Sequence, residues 1–232
     1  MDAGLTLSET IRRLNTIGVM PESLRAVVVT HEHYDHMRSV GAVSRRLGIP
    51  VYITSETERA GAHVLGRLKK IIRIQSGYSF GIDGLSIQPF SIPHDAADPI
   101  GLSIRNETVK VGISTDLGMI THLVCHELKD CRALVMEANH DADMLEFGPY
   151  PWELKQRIKG RLGHLSNSQT CEMLREIVHP RLQHVVLAHL SKTNNHPEKA
   201  YWAVKCCLSR FSISAGISLA WQGRVGKLVE VY

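Results

Sequence analysis

One stretch of the chain reads Val27-Val28-Val29-Thr30-His31-Glu32-His33-Tyr34-Asp35-His36, so that an apolar, β-branched run stands directly before three histidines and an aspartate. The run predicts a strand, and residues two apart at the end of a strand share a face. His31 and His33 can therefore hold one metal ion together, while Asp35 and His36 can turn toward a second. Polar groups at this density must each find partners when buried. The pattern favours a metal site over a solvated, histidine-rich turn.

Three further candidate ligands, His94, Asp116 and His189, also stand where a predicted strand stops. A single histidine in such a place is more often a hydrogen-bonded structural residue than a ligand. The repeated placement at strand ends favours convergence of all these side chains on metal ions. The predicted metal ligands are His31, His33, Asp35, His36, His94, Asp116 and His189.

Bulk properties narrow the class of protein. Hydrophobic residues make up 44% of the chain and charged residues 22%, and no apolar run approaches the roughly 20 residues of a membrane helix. The N-terminal residues lack the pattern of a secretory signal, so we expect a cytoplasmic protein without a membrane partner. The five cysteines, an odd number without a C-x-x-C motif, favour reduced thiols. The net charge of +4 tolerates a phosphate-bearing partner without requiring one.

Apolar runs and helical periodicity alternate along the chain and predict a mixed α/β fold. Residues 105–108, Arg-Asn-Glu-Thr, supply turn chemistry for a hairpin. Without repeats or long linkers, the chain is expected to form a single domain over residues 1–232. The predicted strands are 26–29, 51–54, 85–92, 101–104, 109–114, 133–137, 184–188, 217–221 and 227–231. The predicted helices are 9–18, 37–47, 56–70, 152–162, 169–178 and 198–211.

The motif T-H-x-H-x-D-H at residues 30–36, a later histidine, an aspartate in S-T-D-x-G at residues 114–118 and a final histidine at a strand end resemble the metallo-β-lactamase superfamily. The resemblance implies an αββα sandwich with a dinuclear metal site at the edge of its sheets. It also implies that Asp116 bridges two ions. In the implied arrangement one ion is held by His31, His33 and His94, and the other by Asp35, His36 and His189.

The identity of the metal stays open at this point. Mixed histidine and aspartate ligands suit two divalent ions, with zinc or manganese favoured and iron also compatible. Superfamily members that hydrolyse β-lactams with two zinc ions commonly carry cysteine at the position of Asp116, which argues against a β-lactam substrate.

Five blocks, at residues 94–101, 137–141, 148–152, 163–167 and 188–195, are similar to the bacterial YycJ/WalJ group, which in turn resembles the β-CASP nucleases. That group is associated with 5′-to-3′ exonuclease activity on DNA. The resemblance implies a DNA substrate, and a homo-oligomer is compatible with it. We hypothesise that a hydroxide between two metal ions, steered by Asp35 or Asp116, attacks phosphorus.

A basic segment before His164 gives a local reason to favour phosphate. Four cations at helical spacing could point toward His164, although a solvated basic face is an equally simple interpretation. Ser166 and Gln169 have the spacing of a capping box, which would start a helix whose backbone N–H groups face an anion. His164 is predicted to contact the phosphate or protonate the leaving group. The four cations are Lys155, Arg157, Lys159 and Arg161, and the predicted substrate contacts are His164, Ser166, Lys155 and Lys159.

Two acidic residues are predicted to support the ligands. By resemblance Asp2 steadies a metal ligand, and Glu137, at a strand end, either orients a ligand or makes a structural hydrogen bond. The family normally opens with about thirty more residues before the position of Asp2, a length typical of part of a domain. We therefore expect Asp2 to be held less firmly, and one edge of the sheet to lack a covering strand.

Two other functions compete with the nuclease. A thioester or cyclic-phosphodiester hydrolase of the glyoxalase II kind would share the metal motif without needing the basic segment. A truncated, non-catalytic scaffold that binds nucleic acid or protein is the second. Among the remaining residues, His140 is expected to be an ordinary surface or packing residue. Tyr34, Tyr150 and Trp152 could stack on bases, but aromatic residues near a cleft more often pack, so we expect them to pack.

Overall fold

A computed structural model of the chain describes all 232 residues. The chain forms two compact units. The first unit consists of Met1–Ser91 with Ala96–Ile100, and the second of Ile92–Asp95 with Gly101–Tyr232. That the whole chain folds as one domain stays a prediction. No helix combines the length and the apolarity needed to cross a bilayer.

The first unit contains a parallel sheet and an antiparallel hairpin. Strands β1, β2 and β3 pair in parallel in that order, and β4 pairs antiparallel with β5. Buried aliphatic side chains of β1, β2 and α3 pack together as its core. In chain order its elements are α1 (Leu7–Thr16), a 3₁₀ turn (Pro21–Ser23), β1 (Val27–Val28), α2 (Tyr34–Met37), α3 (Val40–Leu47), β2 (Val51–Thr54), α4 (Ser55–Ala60), α5 (Ala62–Leu65), β3 (Ile71–Ile74), β4 (Phe80–Ile82) and β5 (Leu85–Ser91).

The second unit is built on neighbouring strands in the order β6, β7, β8, β9 and β10. Strands β6 and β7 are antiparallel, whereas β7 to β10 are parallel, so the carboxyl ends of β7, β8 and β9 meet at one edge. Its elements are β6 (Ile100–Arg105), β7 (Lys110–Ser114), α6 (His122–Leu128), β8 (Ala133–Glu137), α7 (Ala142–Phe147), α8 (Trp152–Lys159), α9 (Asn167–Ile177), β9 (His184–Ala188), α10 (Pro197–Arg210) and β10 (Gly216–Leu219).

The predicted hairpin between β6 and β7 is confirmed. Arg105 lies opposite Lys110, and the Asn106 side-chain oxygen accepts hydrogen bonds from the N–H groups of Thr108 and Val109 at 3.0 and 2.8 Å. An asparagine oxygen that caps the following backbone N–H groups closes a tight turn locally. This turn could therefore be predicted without knowledge of the rest of the fold.

Two predicted elements are wrong. The predicted helix at 56–70 is divided at Gly61 into α4 and α5 and ends at Leu65, because Gly66 adopts φ 61° and ψ −164°, outside the helical region. The predicted strand at 227–231 does not form. At the end of this segment, Tyr232 forms paired hydrogen bonds with the side chain of Gln183, the residue before β9. An apolar run becomes a strand only where a neighbouring strand offers backbone partners.

Candidate metal centre

The first unit gathers the predicted ligands that follow β1. His31 and His33 continue the chain beyond the strand, and α2 carries Asp35 and His36. The ring centre of His31 lies 4.6 Å from that of His33 and 4.1 Å from that of His36. The Asp35 carboxylate is 3.7 Å from Nε2 of His36. The structure thus brings this part of the predicted ligand set together.

Asp2 lies behind these histidines. Its Oδ2 is 3.0 Å from Nδ1 of His36 and accepts a hydrogen bond from the Thr30 hydroxyl at 2.9 Å, while its Oδ1 accepts from the Thr30 N–H. The same hydroxyl lies 3.0 Å from Nδ1 of His31. The Asp2 N–H donates to the Val28 carbonyl, which holds this residue beside β1. Because the Asp2 carboxylate contacts Nδ1, Nε2 is the nitrogen of His36 that could hold a metal ion.

In the second unit, His94, Asp116 and His189 lie together. Asp116 follows β7 and His189 follows β9, so both stand at the edge where the parallel strands end. Oδ1 of Asp116 is 3.3 Å from Nε2 of His189 and 3.9 Å from Nε2 of His94. Asp116 and His189 have φ values of 60° and 56°, in a region that residues other than glycine rarely adopt. Strained backbone of this kind concentrates at functional sites.

Glu137 connects two histidines of this cluster. Its Oε1 lies 2.8 Å from Nδ1 of His189 and 2.9 Å from Nδ1 of His164. Its Oε2 accepts the N–H groups of Leu117 and Leu165. Complete burial by itself raises the pKa of Glu137, but hydrogen bonds from the two imidazoles lower that pKa by more, so it lies below its ordinary value. Glu137 is therefore an ionised carboxylate that directs Nε2 of both histidines away from itself.

The cluster in the second unit fits a divalent metal ion. One potential ligand atom from each of Asp116, Glu137, His164 and His189 lies within 4.8 Å of the others. The atoms are imidazole nitrogens and carboxylate oxygens, and they are buried or half-buried. Zinc and manganese accept this donor set. Because Glu137 already accepts hydrogen bonds from both imidazoles, its position is that of a carboxylate that orients the histidines of a metal site.

A cavity of about 490 Å³ opens beside His164 and His189, and we call it the His164 cavity. A histidine and polar groups on the wall of a cavity of this size are typical of a ligand site. Tyr150, one of the aromatic residues noted in the sequence, is also on its wall. Its polar wall further includes Asp95, Asn139, Arg157, Ser191, Lys192 and Gln222.

The predicted roles of Lys155 and Lys159 need correction. Lys155 Nζ donates to the Glu146 carbonyl at 2.7 Å, and Lys159 forms an ion pair with the Glu146 carboxylate. Neither lines the His164 cavity. The opposite face of α8 points there and carries Arg157, whose Nε donates to Asp95 at 2.6 Å. Residues four apart share one face of a helix, so Lys155 and Lys159 point the same way. Arg157, two residues from each, lies on the opposite face, which is the one that lines the cavity.

The predicted capping box at the start of α9 is confirmed. The Ser166 hydroxyl accepts from the Gln169 N–H, and the Gln169 side chain accepts from the Ser166 N–H. The next N–H, that of Asn167, donates to the His140 carbonyl. Since these donors are used internally and Ser166 is buried, the structure places Ser166 in the support behind His164 and not on the cavity wall.

Asn139 is a cavity residue that sequence reasoning missed, and its neighbour His140 is buried. His140 is 3% exposed, which agrees with the expected packing residue, and burial lowers its pKa to about 4. Its neighbour Asn139 lines the His164 cavity and donates to the His189 carbonyl at 2.9 Å. The sequence contained a signal for Asn139, because it lies two residues beyond the end of β8, at the edge shared by Asp116 and His189.

The expectation that Tyr34 and Trp152 pack is wrong. Their exposed fractions are 62% and 63%. Tyr34 is covered only in part by the guanidinium of Arg38, 5.6 Å from the ring centre. Both aromatic rings are therefore available at the surface.

Comparison with known proteins assigns the chain to a family. The family described as the beta-lactamase superfamily domain matches residues 1–190. This chain belongs to the beta-lactamase superfamily. Two superfamily relatives are the exodeoxyribonuclease YycJ of Bacillus anthracis, 31% identical over 93% of this chain and 83% of the relative, and the exodeoxyribonuclease WalJ of Streptococcus pneumoniae, 32% identical over 94% and 82%. The predicted membership of the YycJ/WalJ group is thereby confirmed.

A solved structure supports the fold of this superfamily member. The metallo-β-lactamase fold protein YhfI of Bacillus subtilis superposes with a TM-score of 0.71 at 17% identity, over 94% of this chain and 82% of YhfI. The chain is an α/β hydrolase of the metallo-β-lactamase fold, as predicted. This fold implies divalent metal ions, and the chain contains histidine and aspartate clusters that could bind them.

Proposed function

We propose that this hydrolase is a metal-dependent exonuclease that degrades DNA from its 5′ end. The observation that carries the proposal is the cluster of Asp116, Glu137 and two histidines that opens into a cavity lined by Arg157 and Lys192. Cations beside an acid–base site suit a phosphodiester. The relatives at 31 and 32% identity, both named exodeoxyribonucleases, support the same substrate.

For the metal ions we propose the ligand set that the superfamily resemblance implies. When bound, two divalent ions supply an activated water molecule and neutralise charge that develops on the phosphate. Zinc and manganese are the proposed metals. The orientation of His36 by Asp2 and of His189 by Glu137 supports the proposal, because each carboxylate presents Nε2 for ligation. The proposed ligands are His31, His33 and His94 for one ion, Asp35, His36 and His189 for the other, and Asp116 for both.

His164 is proposed to act on the leaving group. Its Nδ1 is held by Glu137, and its ring lines the His164 cavity. With Nδ1 held by Glu137, Nε2 of His164 is the nitrogen that can donate to the leaving oxygen or to a phosphate oxygen. Asp35 or Asp116 is proposed to orient the attacking water, and Arg157 and Lys192 to bind the phosphate backbone.

The experiment is hydrolysis of a 5′-phosphorylated oligonucleotide in the presence of manganese or zinc. We expect His33→Ala and Asp116→Ala to abolish hydrolysis without unfolding the protein, and the exposed variant Glu172→Gln to match the unmodified protein. His164→Ala is expected to lower turnover while bound metal stays nearly unchanged. Undiminished turnover in His33→Ala, or hydrolysis of a glutathione thioester in place of DNA, would overturn the proposal.

A further inference from the structure

A second, smaller cavity adjoins the His164 cavity within the second unit. Its volume is about 280 Å³, and we call it the Trp221 pocket. The two cavities share four wall residues, Leu190, Ser191, Lys192 and Gln222. The shared wall makes the Trp221 pocket an extension of the proposed active site and not a separate surface feature.

The position of Trp221 follows from the strand register. Strand β10 runs parallel to β9 with Leu219 opposite Leu187, and the Ala220 N–H donates to the Leu187 carbonyl at 2.8 Å. Two residues beyond that pair, the segment after β10 reaches Trp221 and the segment after β9 reaches His189. Because adjacent strands lie about 4.8 Å apart, the register brings the indole next to the chain segment that carries His189.

Further contacts hold this segment. The Gln222 side-chain amide donates to the Leu190 carbonyl at 3.3 Å, which ties the residue after Trp221 to the end of β9. The Arg224 guanidinium lies over the indole, 4.2 Å from the ring centre. A cation over a tryptophan face is attracted by the ring, so Arg224 both orients the indole and adds positive charge.

The chemistry of the pocket matches a nucleobase. Its wall is largely apolar, through Leu190, Pro197, Leu219 and Ala220, and Trp221 completes it with an indole that is 38% exposed. Proteins bind single-stranded nucleic acid by stacking bases on aromatic side chains beside cations that follow the backbone. Here Lys192 lines both cavities, so its cation can contact the phosphate next to a base bound in the Trp221 pocket.

We propose that the Trp221 pocket binds one base of a single-stranded nucleic acid, stacked on Trp221, while the adjoining phosphate lies at Lys192 in the His164 cavity. The inference rests on the proposed function and makes it more specific. It assigns Trp221 as a residue that positions the strand relative to the scissile phosphate. It further predicts that the substrate is engaged as a single strand, because a paired base cannot enter a pocket.

The first experiment measures binding to metal-loaded protein. The probe is a fluorescein-labelled, single-stranded oligonucleotide with a phosphorothioate at its 5′ linkage to prevent turnover, either intact or with one abasic site at each of the first few positions. Trp221→Ala should weaken binding of the intact strand roughly tenfold, the scale of one stacked base. Trp221→Phe should retain most of the affinity. Trp202→Ala removes a more exposed indole on α10 (59% against 38% for Trp221) and should bind as tightly as the unmodified protein.

The abasic strands identify the contact. For the unmodified protein, an abasic site at one position should weaken binding by the same factor as Trp221→Ala, and in Trp221→Ala that abasic site should have no further effect. Such non-additivity is expected only when the two deleted groups interact. Equal abasic penalties in both proteins, or equal affinities of Trp221→Ala and Trp202→Ala, would overturn the inference.

The second experiment separates this inference from the proposed function. Bis(p-nitrophenyl) phosphate has a phosphodiester but no base, so Trp221→Ala should lower its hydrolysis by a smaller factor than it lowers hydrolysis of the oligonucleotide. If the protein binds the oligonucleotide in a Trp221-dependent way but cleaves no DNA, the exonuclease proposal fails and the base pocket stands. If it cleaves DNA and Trp221→Ala does so with an unchanged KM, the base pocket fails and the exonuclease stands.

Discussion

At the scale of single residues, Glu137 contacts both the histidines and the backbone of the site. One buried carboxylate accepts four N–H groups, two from imidazoles and two from the backbone of Leu117 and Leu165. It therefore fixes both the side chains of the site and the loops that carry them. A side chain amide of the same size cannot replace it, because an amide has one acceptor oxygen and directs an NH₂ group at donors.

We expect Glu137→Gln to weaken metal binding by roughly 10- to 100-fold, the usual effect of removing a carboxylate that orients a ligand. It should also lower the free energy of unfolding by about 2 to 4 kcal/mol, because buried N–H donors lose their acceptor. Metal titration and urea unfolding measure the two effects. Glu172→Gln, at an exposed position, is the matched control. Unchanged metal affinity in Glu137→Gln would show that Glu137 does not orient metal ligands.

His140 makes stability depend on pH. Burial holds its pKa at about 4 in the folded protein, against 6.5 in the unfolded chain. Between these two pH values the unfolded chain binds more protons than the folded protein. The free energy of unfolding is therefore highest above pH 6.5 and falls as the pH drops toward 4. The loss reaches roughly 3 kcal/mol for a shift of this size.

Replacing His140 with asparagine removes the titrating group. In urea unfolding of chelator-treated protein, the unmodified chain should lose stability between pH 7 and pH 5, and His140→Asn should lose less over the same interval. His179→Asn, at a less buried histidine, serves as the comparison. Parallel pH profiles for unmodified protein and His140→Asn would contradict the assignment of this proton to His140.

At the scale of elements, α8 separates its cations by face. Arg157 lines the His164 cavity, while Lys155 contacts Glu146 on α7. We expect Arg157→Gln to raise the KM for an oligonucleotide several-fold and to reduce the dependence of KM on salt, because one phosphate contact is lost. Lys155→Gln should leave both unchanged. If the two variants raise KM equally, the helix acts as a general basic surface and the assignment by face is wrong.

Helix α9 begins with a capping box, whose contribution to the free energy of unfolding can be measured. Ser166→Ala removes the hydroxyl that accepts from the Gln169 N–H, and such losses cost about 1 kcal/mol of stability. Urea unfolding should show this decrease, whereas Ser209→Ala, exposed near the end of α10, should change stability by less. Because Ser166 does not line the cavity, KM for DNA should be unchanged in Ser166→Ala. A large rise in KM would restore Ser166 as a substrate contact.

At the scale of the whole molecule, the proposed metal ions link binding to stability. A ligand that binds only the folded state stabilises it by RT ln(1 + [L]/Kd), about 2.7 kcal/mol at a concentration 100 times Kd. We therefore expect EDTA to lower the Tm, and added zinc or manganese to restore it. In His33→Ala and His189→Ala the metal-dependent rise in Tm should shrink. An identical Tm with and without metal would contradict the proposed centre.

The class of the fold and the ligand types could be predicted from the sequence because they rest on local patterns. The apolar run before His31, the Asn106 turn and the Ser166 capping box each act within a few residues, and each is confirmed in the structure. Placement beyond a strand end also indicated Asp116 and His189. The resemblance to the superfamily added the ligand assignment, which stays a proposal.

Tertiary structure decided which face each side chain occupies and which groups share a partner. The burial of His140, the pairing of Lys155 and Lys159 with Glu146, and the place of Trp221 beside the end of β9 depend on elements distant in sequence. A local pattern specifies a helix or a strand because its backbone hydrogen bonds and side-chain periodicity are short-range. It does not specify the neighbour that covers a given face, since that neighbour is chosen only when the whole core packs.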